Sequence, residues 1–371
     1  MVLGLLPAIR GGLGELAKTG QHSRLIDGYL RPYARAFEEV LYFSYLAESL
    51  GTYTADPELG ARVRLLAGGG WHPWAYGFVM PLRYAREFRR CSILRVFQIT
   101  GTLPAVIAKR RFGTPFVTTY GFWYGRLARS RITGVLRRVV ENLGLHAADA
   151  VIVTTPELGA HVAARAGAGK VHLIPNGVDT ALFALAPRRS CPPRSVLYVG
   201  RLSEEKNLGA LVDAVAALAG RFDLKLTFIG DGPSRPGLET QARRLAVAAE
   251  FLPVVEHRRI PAHLTDADAF VLPSFTEGHP KVLLEAMSAG VPCVASNVGG
   301  NRAILEHGAT GLLFELGDKG ALAEALARVL ADPALAQALG ARARARVLER
   351  YDLVRLVAEE IDLLKRLARA D

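Results

Sequence analysis

LPSFTEGHPKVLLEAMSAGVPCVASNVGGNRAILEHGATGLLF, residues 272–314, contains one unit of the architecture expected along the whole chain. Ala269–Pro273 before it and Pro292–Ser296 within it are short apolar runs of the kind that form buried strands. Between them Val-Leu-Leu-Glu-Ala-Met-Ser-Ala reads as a short helix starting near Pro280. Proline is tolerated in a first turn, where its missing N–H would have no partner anyway, and Gly290 can stop the last turn. Strand, loop, helix start, helix, strand is a geometry that binds an anion at the helix N-terminus. Glu277 then sits on the loop and Glu285 about a turn into the helix, eight positions apart and near the same anion.

Outward from this stretch, strand and helix signals alternate. In the first half the expected strands are Val2–Pro7, Val40–Tyr45, Val63–Leu66, Leu94–Ile99, Phe116–Tyr120, Ala150–Thr154 and Val171–Ile174, with helices over Ser23–Glu39 and Thr133–Leu145. In the second half they are Ser195–Val199, Lys225–Ile229, Ala269–Leu272, Pro292–Ser296 and Gly311–Phe314. Helices are expected over Leu208–Ala219, Val282–Ala289 and Ala321–Leu330, and the stretch from Pro333 onward is helical. Regular βα alternation implies parallel sheets covered on both faces. The Pro- and Arg-rich Ala184–Arg194 is the expected linker.

A chain of 371 residues, half of them hydrophobic, can fill two cores. Its apolar runs are broken well short of a membrane span, so no transmembrane segment is expected. Val2–Ile9 is short and follows no basic region, so it reads as a first buried strand rather than a secretory signal. Cys91, Cys191 and Cys293 are scattered without CxxC spacing, which fits reduced thiols in a cytoplasm and no zinc site.

The net charge of +11 is uneven: residues 1–150 hold 20 Lys+Arg against 10 Asp+Glu, and residues 151–371 hold 26 against 25. The basic clusters are Arg83, Arg86, Arg89 and Arg90, then Arg126, Arg129, Arg131, Arg137 and Arg138. Trp71, Trp74, Tyr76 and Phe78 precede the first. Basic residues beside aromatics suit an anionic membrane surface, and the alternative is a set of solvated helix faces. No recognition motif accompanies the charge, so nucleic acid is not an expected partner.

Ligands of doubly wound sheets bind beyond the carboxyl ends of the strands. Three loops of the second half lie there. Val199–Asn207 places Arg201 and Lys206 at a strand-to-helix turn, a pair suited to a diphosphate or, alternatively, to helix-start ion pairs with Glu204 and Glu205. Ile229–Pro233 is a tight glycine turn around Gly230, and Glu277–Glu285 is the third loop.

In this order the loops resemble the donor half of retaining glycosyltransferases of GT-B fold, family 4. Ile174-Pro-Asn-Gly-Val-Asp179, Gly200-Arg201 through Lys206-Asn207, Pro273-Ser274, Glu277-Gly278, Glu285-Ala-Met, Gly299-Gly300 and Gly308–Gly311 carry the resemblance. It implies an α/β GT-B fold of two Rossmann-like doubly wound parallel-sheet domains facing across a cleft. Residues 1–180 would be the acceptor side and 181–350 the nucleotide-sugar donor domain, with a helix over 351–371 packing back on the first.

The implied activity is hexosyl transfer from a nucleotide diphosphate sugar to a glycan or lipid-linked acceptor, with retained configuration, in polysaccharide or glycolipid synthesis. No cofactor or metal is expected, because Arg201, Lys206 and the amides opening the helix can neutralise the leaving diphosphate. By the family's pattern Glu285 meets the ribose and Glu277 the donor sugar near the reacting carbon. Gly200, Gly230, Gly278, His279, Pro280, Lys281, Val282 and Leu283 line the donor. Gly11 and Gly12, after the first strand, match a glycine loop near phosphate and acceptor. The implied location is the cytoplasm, with the inner face of the cell membrane as the candidate surface.

The chain departs from the pattern in two places. Many members carry a His after the fifth strand, where this chain has Thr118-Thr-Tyr-Gly121, so Tyr120 is expected to take that place beside the donor sugar. His22, His146 and His161 do not match that position. His279-Pro280-Lys281 replaces the family's frequent aromatic and glycine. Asp266-Ala-Asp268 looks like a metal-binding pair but precedes a strand instead of ending one. Two rival functions remain at this point: a GT-B nucleotide-sugar epimerase, and a non-catalytic sugar- or lipid-binding assembly subunit.

Overall fold

A computed structural model describes residues 1–122, 131–185, 193–318 and 320–368, with the side chains of 131–137 excepted. The chain divides into two units, Met1–Pro175 with Arg355–Asp371, and Asn176–Val354. The first division falls ahead of the Pro- and Arg-rich stretch expected as linker, and residues 186–192 of that stretch lie outside the described ones.

The first unit is built on seven parallel strands: β1 Val2–Leu6, β2 Glu39–Phe43, β3 Val63–Leu66, β4 Ile93–Val96, β5 Phe116–Tyr120, β6 Ala150–Val153 and β7 Val171–Leu173. Their order is β3-β2-β1-β4-β5-β6-β7, so the chain reverses direction across the sheet after β3. The second unit has six parallel strands, β8 Arg194–Val199, β9 Leu224–Ile229, β10 Ala249–Leu252, β11 Ala269–Leu272, β12 Cys293–Ser296 and β13 Leu312–Phe314, in the order β10-β9-β8-β11-β12-β13. Both are Rossmann-like. Central strands such as β4, β6 and β11 are buried at every position, as parallel strands covered on both faces require.

Helix starts follow local chemistry. Asp56, Thr155 and Asp332 each accept hydrogen bonds from amides in the turn they open, and each is followed by a proline that fits the first turn. Two expectations are corrected. Ser23–Glu39 is not one helix: α-helical His22–Leu25, a π-helical turn over Ile26–Leu30 and α-helical Arg31–Ala36 follow each other, after which Phe37 is extended and Glu39 opens β2. Strand β10 was not expected, and it is a sheet edge with every residue half-buried.

The last helix, Leu353–Leu367, brings Glu360 into the first unit's interior. There Arg95 Nε donates to Glu360 Oε1 at 2.5 Å and Nη2 to Thr119 Oγ1 at 2.8 Å, while Tyr33 OH donates to the same carboxylate. Burial opposes the charge on Arg95, but Glu360 overrides it and holds the guanidinium above its ordinary pKa. Among the described residues no helix is long and apolar enough to cross a membrane.

Candidate active site

Because all strands of the second sheet are parallel, the loops after β8, β9 and β11 leave the same edge. The first loop passes exposed Arg201 and buried Leu202 and Ser203, makes a 3-10 turn at Glu204–Lys206, and turns into helix Leu208–Leu218 through Asn207 at φ 52. Asparagine tolerates that left-handed conformation better than most residues. Gly230, in the second loop, lies so close to the first that a Cβ on it would meet Gly200 O at 2.1 Å. The third loop is tied to the first by Asn207 Nδ2 donating to Pro273 O at 3.2 Å and Phe275 N donating to Glu205 O at 2.9 Å.

These ties bring Lys206 Nζ to 2.6 Å from Glu277 Oε1, with side-chain exposures of 21% and 9%. Ser274 Oγ donates to the same oxygen at 2.7 Å. Lys206 therefore pairs with Glu277 across the two loops rather than with its neighbours. Burial raises Glu205, but hydrogen bonds from Ser203 and its own amide, with Lys206 and Arg201 close by, bring its carboxyl below the ordinary value.

Past Glu277 the chain runs through buried Gly278, His279 and Pro280 into helix Lys281–Ser288. Pro280 is its N-cap, and no side chain caps it. A proline cap offers no side-chain acceptor to the first amides, including those of Val282 and Leu283, so the helix start can take an anion. Asn176 Nδ2 donates to His279 O at 2.7 Å, and the His279 ring centroid lies 5.5 Å from that of Tyr351. Burial, with the Lys281 charge nearby, pushes His279 down to about 3, so the imidazole is neutral. Its Nδ1 is buried without a hydrogen-bond partner.

Glu285, one turn into the helix, is buried, and His257 Nε2 lies 3.0 Å from its Oε1. Helix Gly299–Arg302 packs against the third loop so closely that a Cβ on Gly300 would meet Glu277 O and Gly278 O at 2.5 Å each.

Tyr120 is placed differently from expectation. It is 1% exposed, its hydroxyl donates to Glu141 Oε1 at 2.9 Å, and its ring stacks on His161 at 5.6 Å. It ends a central strand beneath the helices carrying Glu141 and His161, so the side chain is spent inside the layer. Gly11 and Gly12 lead into helix Leu13–Lys18, whose Leu13 and Gly14 amides donate to the Glu48 carboxylate at 2.9 and 2.7 Å. Asp268 accepts from Arg194 Nη1 at 3.0 Å and from Ser195 N at 2.8 Å, a structural use unlike metal ligation. Among the described residues no cluster of three or more His, Cys, Asp or Glu is placed to hold a metal. His257, Asn176 and Glu48 were not found from sequence. Each is a lone polar residue, and Asn176 alone lay in a quoted motif.

Residues 22–182 match the family model described as Glycosyltransferase Family 4, and residues 189–346 match that described as Glycosyl transferases group 1. Glycogen synthase of Mycobacterium tuberculosis (strain ATCC 25618 / H37Rv) is 34% identical over 261 residues, 67% of this chain and 62% of that protein. The match thus spans less than two thirds of that relative's length. Among solved structures, sucrose-phosphate synthase from Thermosynechococcus elongatus has TM-score 0.83 at 24% identity, covering 99% of each chain. Anabaena HepE, solved in complex with UDP-glucose, has TM-score 0.79 at 20% identity, covering 98% of this chain and 99% of that one. At these identities the structures show the fold, which is GT-B.

Proposed function

This chain belongs to glycosyltransferase family 4, and from that membership we propose that it transfers a hexosyl unit from a nucleoside diphosphate sugar to a glycan or lipid-linked acceptor. The anomeric configuration is retained, and neither metal nor other cofactor takes part. The observation that carries the reading is the Lys206–Glu277 pair beside the uncapped start of helix Lys281–Ser288.

The difficult event is departure of the diphosphate as the sugar gains positive charge. Arg201 and Lys206 offer a fork and a point charge to the phosphates, and the helix amides add fixed dipoles. These groups absorb the developing negative charge where another enzyme would use a divalent ion. Glu277 meets the sugar hydroxyls. Its Oε1 already accepts from Lys206 and Ser274, which makes it a poor covalent nucleophile and a well-oriented hydrogen-bond acceptor. Glu285 takes the ribose. That HepE was solved with UDP-glucose makes uridine donors the first to try.

The test is a panel of UDP, GDP and ADP sugars with EDTA present, following nucleoside diphosphate release with and without carbohydrate or lipid-linked acceptors. Acceptor-dependent release with a retained anomer by NMR supports the proposal. An epimerised donor without acceptor supports an epimerase instead. Absence of binding to every donor leaves a scaffold role.

A second observation adds a location. Trp71, Phe78 and Leu82 are 55%, 57% and 54% exposed around helix Pro73–Arg83, with Phe78 and Leu82 one turn apart on the same face. Arg83, Arg86, Arg89 and Arg90 follow, all exposed, and the Arg89 and Arg111 guanidinium groups both lie over the Phe112 ring. We propose that this surface rests on anionic lipid at the inner face of the cell membrane, the protein being cytoplasmic. In the second basic cluster Arg126 and Arg129, and the side chains of Arg131 and Arg137, lie outside the described residues.

A further inference from the structure

The donor reading gives Glu285 the ribose, and the inference below rests on that reading. Glu285's side chain is 4% exposed. Burying a polar group so far from water is costly unless hydrogen-bond partners replace the lost hydration. One such partner has no part in the mechanism above: His257, itself 5% exposed, with Nε2 3.0 Å from Glu285 Oε1. For Glu285 to accept this hydrogen bond, His257 Nε2 must be the ring nitrogen that carries the proton, since an N–H donates and a carboxylate oxygen accepts.

The imidazole is also packed beyond its contact with Glu285. His257 begins a 3-10 turn, His257–Arg259, that runs into helix Ile260–Thr265, whose Ile260 and Leu264 are buried anchors. Its ring centroid lies 5.2 Å from that of Phe183. Phe183 is tied to the far end of Glu285's own helix, because Ser288 Oγ donates to Phe183 O at 2.8 Å and Arg344 Nη1 donates to it at 3.1 Å. Phe183, His257, Glu285 and Ser288 therefore form a closed frame around helix Lys281–Ser288. A carboxylate has about four acceptor sites, so a bond from His257 can orient Glu285 without filling them.

We propose that His257 is the positioning residue for ribose recognition: its Nε2–H fixes the Glu285 carboxylate in the geometry that accepts the 2′ and 3′ hydroxyls of the donor nucleotide. Orientation fixed in advance lowers the ordering cost of binding. His257 touches neither sugar nor diphosphate, so its loss weakens ribose discrimination and raises donor KM while kcat stays near the wild-type value.

The experiment uses the full chain and calorimetric titration with UDP, GDP and ADP and their 2′-deoxyribose counterparts. Variants are His257→Phe, which keeps a ring against Phe183, His257→Gln, which returns an N–H near the place of Nε2, and Glu285→Gln. We expect the wild type to prefer the ribonucleotide by about tenfold or more, the range of a hydrogen bond to a charged group. His257→Phe and Glu285→Gln bring the ratio to within about twofold of unity, and His257→Gln restores most of it. Should the phenylalanine variant not fold, His257→Asn, too short to reach Glu285, takes its place. A wild-type ratio in His257→Phe alongside a lost ratio in Glu285→Gln overturns the role of His257 and leaves the ribose reading standing. A wild-type ratio in Glu285→Gln, or no nucleotide bound at all, overturns the ribose reading and this proposal with it.

Discussion

Lys206 Nζ and Glu277 Oε1 lie 2.6 Å apart, joined across 71 positions of sequence by two loops of one sheet edge. Each group holds the other in place, and in the proposed reaction both face the donor. Lys206→Ala removes a diphosphate contact and frees Glu277; Glu277→Ala removes the sugar contact and frees Lys206. Each variant is expected to lose at least about tenfold in transfer while melting within a few degrees of the wild type. Because the two act as a unit, the double variant loses less than the product of the single losses. Unchanged turnover in both single variants removes the assignment, and kcat/KM with thermal melting reads every outcome.

Gly300 allows helix Gly299–Arg302 to approach the third loop, and a Cβ there would meet Glu277 O and Gly278 O at 2.5 Å. Both obstacles are backbone, which cannot swing aside, so Gly300→Ala must displace the loop carrying Glu277. Turnover is expected to fall by about a hundredfold, since small misplacement of reacting groups is costly. Stability falls by only about 1–3 kcal/mol, the usual cost of overpacking. Gly60, whose added Cβ meets nothing within 4 Å, is the control, and Gly60→Ala leaves turnover unchanged.

What the sequence could and could not disclose divides along physical lines. Strands such as Ala150–Val153 and Ala269–Leu272 were legible because burial on both faces imposes uninterrupted apolar runs. Ala249–Leu252 was not, because an edge strand half-buried throughout leaves neither a run nor an alternation. The break at Ile26–Leu30 escaped because the π turn joins two α-helical stretches directly, so the chain stays helical through it. The paired glutamates and the Arg-Lys loop were visible as local motifs. That Lys206 reaches Glu277 was not, since it depends on how two loops are stitched together. His257 and Glu48 had no signal, because a single polar residue becomes informative only when a fold places it beside a partner. Tyr120 shows the converse: its place in the family's pattern suggested a sugar contact, and the packing of Glu141 and His161 directs its hydroxyl inward.

The exposed Trp71, Phe78 and Leu82 and the arginines after them predict salt-sensitive lipid binding. Attraction between exposed arginines and anionic headgroups is screened over about 8 Å at physiological salt. Flotation with phosphatidylglycerol vesicles should show binding at low salt and release as salt rises, with little binding to phosphatidylcholine. Replacing Trp71, Phe78 and Leu82 by serine should lower the bound fraction even at low salt, because apolar insertion is lost while the charge stays. Failure of the wild type to float at low salt ends the membrane proposal.

His279 gives the pH dependence of stability a definite sign. Burial, with Lys281 nearby, lowers it from the ordinary 6.5 to about 3, so the folded protein keeps the ring neutral while the unfolded chain protonates it below pH 6.5. Between those values the unfolded state binds more protons, and the free energy of unfolding therefore falls as pH falls. From about pH 7 to about pH 4.5 this one group removes about 2–3 kcal/mol. His161 and His172 are also lowered by burial and by Arg165 and Arg366 respectively, and they act in the same direction. The contribution of His279 is isolated by comparison with His279→Leu, which cannot titrate and does not bury an imidazole nitrogen without a partner. Urea denaturation across this range should show the leucine variant gaining on the wild type as pH falls. A stability difference independent of pH would mean that His279 is not held neutral in the folded protein.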